Sequence, residues 1–286
     1  MATAKPFLKW AGGKQHLLGQ FKPLLPRQFN HYCEPFVGSG ALFFHLWNSG
    51  RITGAATLSD ANAELINSYQ VVRDEVEALI ECLAHHEQQH SAEHFHMVRA
   101  LDRSPNTLTA VERAARMVYL NRTCYNGLYR VNRQGHFNAP LGSYQNPKVL
   151  FADGLRAANV ALQGVQLICR PFDAVLDCAA TGDFIYFDPP YDPVSKTASF
   201  TSYTASAFGE AEQRQLAEVF GELAERGCFC MLSNAHTPLI LELYGNFPSK
   251  VVRAHRAINS KGAGRGQIDE VLVMSYATDP ADIVSP

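Results

Sequence analysis

Residues 183–188, Asp-Phe-Ile-Tyr-Phe-Asp, hold four consecutive apolar positions between two acids. The run is too short for a helix and has no polar face for a half-solvated strand. Such a segment belongs inside a sheet that is covered on both sides. Comparable runs lie at 31–38 (HYCEPFVG), 55–60 (AATLSD), 165–170 (VQLICR), 227–234 (GCFCMLSN), 249–255 (SKVVRAH) and 270–276 (EVLVMSY). Helical patterns separate several of them: ALFFHLWNSG, closed by Gly50, and the amphipathic EAEQRQLAEVFGELAER at 210–226. This alternation predicts an α/β fold with a largely parallel sheet. Residues 66–150 have a different texture, helical, charged and His-rich, then rich in Asn, Gly, Arg and Tyr as in a hairpin or ordered loop. The expected organisation is a sheet domain of residues 1–65 and 151–286, with 66–150 inserted into it.

The net charge of −2 conceals a strong asymmetry. Residues 1–33, 113–152 and 243–268 carry five, six and five Lys or Arg and no acid. Three acid-free basic segments that converge on one face would form the footprint of a polyanion binder. No apolar run reaches signal-peptide or membrane length, and the seven cysteines show no CxxC spacing. These features predict a reduced, cytoplasmic protein without a disulfide framework or a zinc site.

Two constellations carry chemistry. In EPFVGSGALFF, Gly38 and Gly40 fall between a strand and a helix, where glycines let backbone approach a ligand at the carboxyl edge of a sheet. Phe43 stands where a dinucleotide fingerprint has its third glycine, which argues against a nicotinamide enzyme. Asp60, ending the next strand, is placed to bind ribose hydroxyls and to begin a turn or cap the following helix. Together they favour an adenosyl ligand without a pyrophosphate. Trp10 and Lys14, in the acid-free FLKWAGGK, form a second ligand-facing loop, although a lone tryptophan also suits a core.

The other constellation is Asp188-Pro189-Pro190-Tyr191 at the open end of the 183–188 strand. Methylating an exocyclic amine is difficult because its lone pair is delocalised into the ring. A carboxylate and a rigid backbone carbonyl, each accepting one N–H, return electron density to nitrogen and aim it. The prolines fix the turn, and Tyr191 offers a face on which a planar base can stack. Standing alone, the same four residues would also suit a strand terminator with an incidental acid.

FLKWAGGK, EPFVGSG, LSDANAELINSY, FDPPY and INSKGAGRGQIDEVL together resemble Dam-type DNA adenine-N6 methyltransferases in identity, order and spacing, from Phe7 to about Tyr276. YNGLYRVNRQGHFNAPLGSY resembles that family's DNA-reading segment. The resemblance implies a Rossmann-like, S-adenosylmethionine-dependent methyltransferase sheet with an inserted, mainly helical DNA-recognition domain, acting on double-stranded DNA. It implies that Trp10, Lys14, Glu34, Phe36, Gly38, Gly40, Asp60, Phe172, Asp173 and Asp188 meet the cofactor. Asp188 to Tyr191 would hold a flipped adenine, with the Pro189 carbonyl as second acceptor for N6. By the same resemblance, Arg130 would read a guanine, Leu128 and Pro140 would make apolar base contacts, Tyr144 would wedge beside the vacated position, and Lys9 and Asn126 would also contact DNA. The implied target is GATC. One departure is His136, where many relatives carry an acid.

CLAHHEQQHSAEHFH places His86 and His90 four apart, a spacing that can bind metal, but no completing acid or cysteine is arranged beside them. A solvated, polar helix and no metal is the expectation. Rival readings are methylation of RNA, of cytosine N4 or of a protein glutamine, and a non-catalytic DNA-binding module; an intact Asp-Pro-Pro-Tyr speaks against each. A cognate restriction endonuclease as partner and association with the nucleoid through DNA are further expectations. Tyr203 and Ser233-Asn234 have no assigned role.

Overall fold

The computed structural model describes residues 3–103, 107–192, 208–255 and 267–277. Strands β1 (Tyr32–Glu34), β2 (Ala56–Asp60), β3 (Gln166–Cys169), β4 (Phe184–Phe187), β5 (Phe229–Ala235), β6 (Ser249–His255) and β7 (Gln267–Met274) form one sheet, ordered β3-β2-β1-β4-β5-β7-β6. The first five in that order run parallel. β7 is antiparallel to both β5 and β6, which places the last hairpin at one edge. The helices are α1 (Leu18–Phe21), α2 (Ala41–Asn48), α3 (Ala63–Asp74), α4 (Val76–Gln88), α5 (Ala92–Ala100), α6 (Ala110–Thr123), α7 (Ala152–Leu162), α8 (Glu210–Glu225) and α9 (Pro238–Leu243).

The uninterrupted apolarity of β4 follows from two cores, one on each face. Phe184 and Tyr186 enter the larger core, and Ile185 and Phe187 enter a second one built with Leu216, Val219, Phe220 and Leu223 of α8. Alternation of side chains along a strand accounts for this division. The same split recurs at Tyr32 and Cys33 of β1 and at Met231 and Leu232 of β5.

Chain order reverses at β1, with β2 on one side and β4 on the other. A crevice opens at the carboxyl ends of strands where a parallel sheet reverses, and ligands bind there. Glu34 ends β1, Asp60 ends β2 and Asp188 follows β4, so all three acids lie at this edge. Asp60 begins the turn and Asn62 caps the helix: Asn62 N donates to Asp60 Oδ1 at 3.0 Å, while Asn62 Oδ1 accepts from Glu64 N at 3.1 Å and Leu65 N at 3.2 Å.

The expected junction after residue 65 falls inside α3, which is buried at Leu65, Ile66, Tyr69 and Val72 on both sides of that point. α6 is buried nearly all round, and α3, α4 and α5 pack against it. A capping box between Thr109 and Glu112 starts it.

The expectation of one solvated histidine helix is corrected. The helix ends at Gln88, and a new one begins after Ser91, whose side chain accepts from His94 N. His90 therefore lies in the link, where its Nδ1 is 2.8 Å from the Tyr119 hydroxyl. His94 is buried, and His86 stacks on Tyr119 with its Nδ1 3.0 Å from His94 Nε2. Burial, followed by the neighbouring His94 and His85, pushes the His86 pKa down to about 4. In the unfolded chain it titrates near 6.5. Between these values the unfolded state binds more protons, so stability falls as pH drops through that window. Denaturant midpoints at pH 7 and pH 5 should therefore differ more for the natural protein than for His86→Gln; equal differences would refute the linkage.

Candidate active site and nucleic-acid face

The site grows out of three loops and one strand end. Lys14 is 3% exposed, and its Nζ lies 2.7 Å from Asp188 Oδ1. The same ammonium donates to the Gly12 carbonyl and sits 4.7 Å from the centre of the Tyr191 ring. Asp188 Oδ1 also accepts from Ser233 Oγ at 3.0 Å. Burial raises the Asp188 pKa above the usual carboxylate range, and Lys14 and Ser233 partly oppose that rise. The Tyr191 hydroxyl donates to Glu270 Oε2 on β7 at 2.7 Å. Gln213 Nε2 of α8 donates to the Pro190 carbonyl at 2.9 Å, and Asn234 Nδ2 donates to Gln213 Oε1 at 3.0 Å. The Asp-Pro-Pro-Tyr turn is thus gripped from α8, β5 and β7.

Beside it, the glycine turn closes onto the N-terminal loop. Gly38 has φ +45°, and a Cβ there would meet Trp10 Cδ1 at 2.8 Å, so the indole lies directly on the glycine. Gly40 opens α2 in the left-handed region, and the Tyr69 hydroxyl donates to the Gly38 carbonyl at 3.1 Å. Gly38 N donates to Asp60 Oδ2 at 3.4 Å. Burial lifts the Asp60 pKa to about 6, against the pull of the amides of Asn62, Gly38 and Ala61. Glu34 is buried, accepts from the Tyr32 hydroxyl at 2.9 Å, and is pushed up by burial. Phe36 and Phe172 stack with ring centres 5.4 Å apart, and Phe208 closes the group edge-on.

These residues fit S-adenosylmethionine. Aromatic rings suit an adenine, a carboxylate at the end of β2 suits ribose hydroxyls, and buried acids suit a cationic ligand. Asp173 Oδ2 accepts from Gln215 Nε2 of α8 at 3.0 Å, which ties its loop to that helix.

The expected DNA-contacting residues other than Lys9 gather on a hairpin held by two bridges, Cys124 with Leu141 and Val131 with Phe137. Lys9 Nζ lies 5.0 Å from the Tyr144 ring centre, and Trp10 stacks on Tyr129 at 5.4 Å. Arg130 is exposed, with Nε donating to Asn138 Oδ1 at 2.7 Å and Nη2 to the Asn138 carbonyl at 3.0 Å. Asn126 is exposed in the left-handed region with φ 56°, Pro140 is exposed, and Leu128 is half-buried.

Sequence reasoning missed Asn121, Glu270 and Gln213, and left Ser233-Asn234 open. Each makes its contact through distant chain; the signals were the polar character of Ser233 and Asn234 at the end of an apolar strand and the place of Glu270 within INSKGAGRGQIDEVL. Tyr203 lies outside the described residues. Among the described residues, no cluster of three or more His, Cys, Asp or Glu could hold a metal ion, and no helix is long and apolar enough to cross a membrane.

A parallel sheet that reverses at β1, with a glycine turn and an Asp-Pro-Pro-Tyr strand end facing one another across the reversal, defines a Rossmann-like, S-adenosylmethionine-dependent methyltransferase. Comparison with known proteins narrows the class: the model of the D12 class N6 adenine-specific DNA methyltransferases matches residues 10–258, and the chain belongs to that family. Its methyl donor is S-adenosylmethionine and its substrate is DNA, methylated at adenine N6 in a site-specific manner.

Curated relatives agree along nearly the whole length. The chain is 41% identical over 276 residues to the type II methyltransferase M1.LlaDCHI of Lactococcus lactis subsp. cremoris, covering 95% of each chain. It is 40% identical over 287 residues to M.MjaIII of Methanocaldococcus jannaschii, covering 95% of this chain and 99% of the relative. It is 36% identical over 278 residues to the DNA adenine methylase of Escherichia coli (strain K12), covering 96% of each.

Asn121, buried on α6, joins these parts. Its Oδ1 accepts from Lys9 N at 2.8 Å, and its Nδ2 donates to the carbonyls of Lys9 at 2.7 Å and Gly127 at 2.9 Å. Asn121→Ala leaves three backbone groups unpaired and should lower unfolding free energy by about 1–3 kcal/mol. Urea unfolding at constant slope checks this; an unchanged midpoint contradicts the tie.

Proposed function

We infer that this enzyme methylates N6 of an adenine flipped out of duplex GATC, with Asp188-Pro189-Pro190-Tyr191 as the catalytic group. The observation that carries the reading is Asp188 itself: a carboxylate at the reversal edge whose Oδ1 is met by both Lys14 and Ser233. Oδ2 then accepts one N6 hydrogen. By the family resemblance the Pro189 carbonyl accepts the other, and Gln213 steadies the turn through the Pro190 carbonyl. Hydrogen bonding of both N6–H groups in these directions turns the nitrogen lone pair toward the methyl donor, and the stacked base rests on Tyr191.

S-adenosylmethionine supplies an electrophilic methyl on a sulfonium. Phe36, Phe172, Gly38, Gly40 and Asp60 hold its adenosyl part, with Asp173 at the adenine end. Glu34, Trp10, Lys14 and Asp188 line the side nearer the reacting carbon.

Segment 66–150 is proposed as the target-recognition unit. Within it Arg130, oriented by Asn138, makes bidentate bonds to guanine O6 and N7. Leu128 and Pro140 contact bases, and Tyr144 fills the space that the flipped nucleotide leaves. Lys9 and Asn126 hold the DNA. Extruding the nucleotide costs a few kcal/mol, which these contacts offset. The family-level resemblance of this segment supports GATC.

The type II names of two relatives at 41% and 40% identity favour a second element of the reading, protection of DNA against a cognate restriction endonuclease. The enzyme would then work in the cytoplasm, on nucleoid DNA, without a metal.

Transfer of labelled methyl to duplexes that differ only in GATC against GTTC tests the reading, with transfer confined to GATC expected. Asp188→Ala should abolish transfer while circular dichroism still shows a folded protein, with a lowered denaturant midpoint because buried Lys14 loses its anion; retained turnover would sink its role. Arg130→Ala should reduce discrimination at one base pair by about 1–3 kcal/mol. Unchanged discrimination would remove Arg130 from base reading.

A further inference from the structure

We propose that Ser233, braced by Tyr186, is a positioning residue that locks the Asp188 carboxylate with Oδ1 toward the protein and Oδ2 toward the substrate amine. The inference rests on the catalytic reading of Asp188 above.

Ser233 lies on β5 and is fully buried, as is Tyr186 on β4. In the parallel register Tyr186 pairs with Met231 and Phe187 with Leu232, which brings the end of β4 beside Ser233. Tyr186 and Asp188, two residues apart, point to the same side. The Ser233 oxygen then stands 3.0 Å from Asp188 Oδ1 and 2.9 Å from the Tyr186 hydroxyl.

Chemistry fixes the direction of this chain. An ionised carboxylate only accepts, and a serine hydroxyl has one proton to give. Ser233 must give it to Asp188, so Tyr186 must donate to Ser233. Burial holds the Tyr186 phenol protonated, and the charge on Asp188 adds to that. The relay therefore runs one way, from Tyr186 through Ser233 to Oδ1.

Lys14 approaches the same oxygen at 2.7 Å. Two donors from different elements converge on Oδ1 and remove the rotation that would exchange it with Oδ2. A carboxylate free to turn would spread its accepting lone pairs over many directions and lose the orientation that catalysis by positioning requires. Lys14 alone does not supply this, because a lysine ammonium is a point charge on a flexible stem. The serine hydroxyl sits on a central strand whose backbone is held on both sides.

The charged and titratable groups that face Asp188 are Lys14 from the N-terminal loop, Glu34 from β1, Tyr186 and Tyr191 from its own segment, and Glu270 from β7. Loss of the Ser233 bond removes a donor to the charged form while these remain, so protonation of Asp188 moves to higher pH. A protonated Asp188 no longer accepts N6–H in the same way, and the acid limb of kcat/KM reports that change in the free enzyme.

The test is kcat/KM against pH for the full-length enzyme on duplex DNA, with Ser233→Ala, Ser233→Thr, Tyr186→Phe, the Ser233→Ala/Tyr186→Phe double variant and Asp188→Ala. Ser233→Ala should move the acid limb up by about one pH unit and lower the plateau about tenfold or more, with cofactor binding retained. Ser233→Thr should restore the natural limb. Tyr186→Phe should shift it less, and should add nothing to Ser233→Ala because it acts through the serine. An unchanged limb in Ser233→Ala, or additive losses in the double variant, would overturn the proposal. If Ser233→Ala does not fold, Tyr186→Phe decides alone, an unmoved limb again overturning it. Natural turnover in Asp188→Ala would instead overturn the catalytic reading on which the proposal rests.

Discussion

The burial of the Lys14 ammonium is the constraint from which the site follows. At 3% exposure a charge cannot rely on water, and such a group must find an anion and hydrogen-bond acceptors within the protein. Asp188, the Gly12 carbonyl and the Tyr191 ring face meet that need from three directions. Satisfying it pins the N-terminal loop against the end of β4. Trp10 is thereby laid on Gly38 and against Tyr129, and the backbone of Lys9 is held by Asn121. One short segment thus fastens the strand end, the glycine turn and the hairpin together. The pair is asymmetric: the Asp188 side chain is 20% exposed while its partner is sealed in, so the carboxylate and not the ammonium is reached from solvent.

The same edge shows why three carboxylates can share a desolvated crevice. Glu34, Asp60 and Asp188 end or follow adjacent strands, and burial raises the pKa of each. Each is relieved by a different partner: a phenol for Glu34, backbone amides for Asp60, an ammonium and a hydroxyl for Asp188. Separate partners allow the three acids to differ in charge at one pH. A crevice of this kind favours a ligand that brings positive charge with it, since a cation returns to the acids what burial removed.

Most strands were legible because segments buried on both faces are dominated by apolar residues, and the Asp-Pro-Pro-Tyr group was legible because four unusual residues end one of those runs. The supports were not. Ser233 reaches Asp188 across 45 residues, Glu270 reaches Tyr191 across 79, and Asn121 reaches Lys9 across 112. Such contacts depend on strand order and register, and a sequence contains neither until the sheet is assembled. The antiparallel setting of β7 between β5 and β6 brings Glu270 to the site, and nothing in the local pattern of EVLVMSY announces that setting. The histidine segment was misread for a related reason. Its burial comes from packing against Tyr119 of α6, which local polarity does not reveal.

The hairpin of residues 124–144 gives the clearest case of shape imposed from outside. Two bridges are too few to set its form. Side chains of the helical layer act on its backbone instead. Asp102 Oδ2 accepts from Phe137 N at 2.7 Å and is itself paired with Arg116 at 2.7 Å, Arg99 Nη1 donates to the Ala139 carbonyl at 3.4 Å, and Asn121 holds Gly127. The tip is organised separately: Asn132 Oδ1 accepts from Gln134 N at 2.9 Å and His136 N at 3.0 Å. Anchor and tip therefore answer to different residues. A change at the tip, such as histidine in place of an acid at position 136, leaves the bonds that hold the hairpin to α6 untouched. If this hairpin reads bases as proposed, its recognition can be altered without loosening the platform beneath it. The fold then limits where the target is read and leaves open which base is chosen.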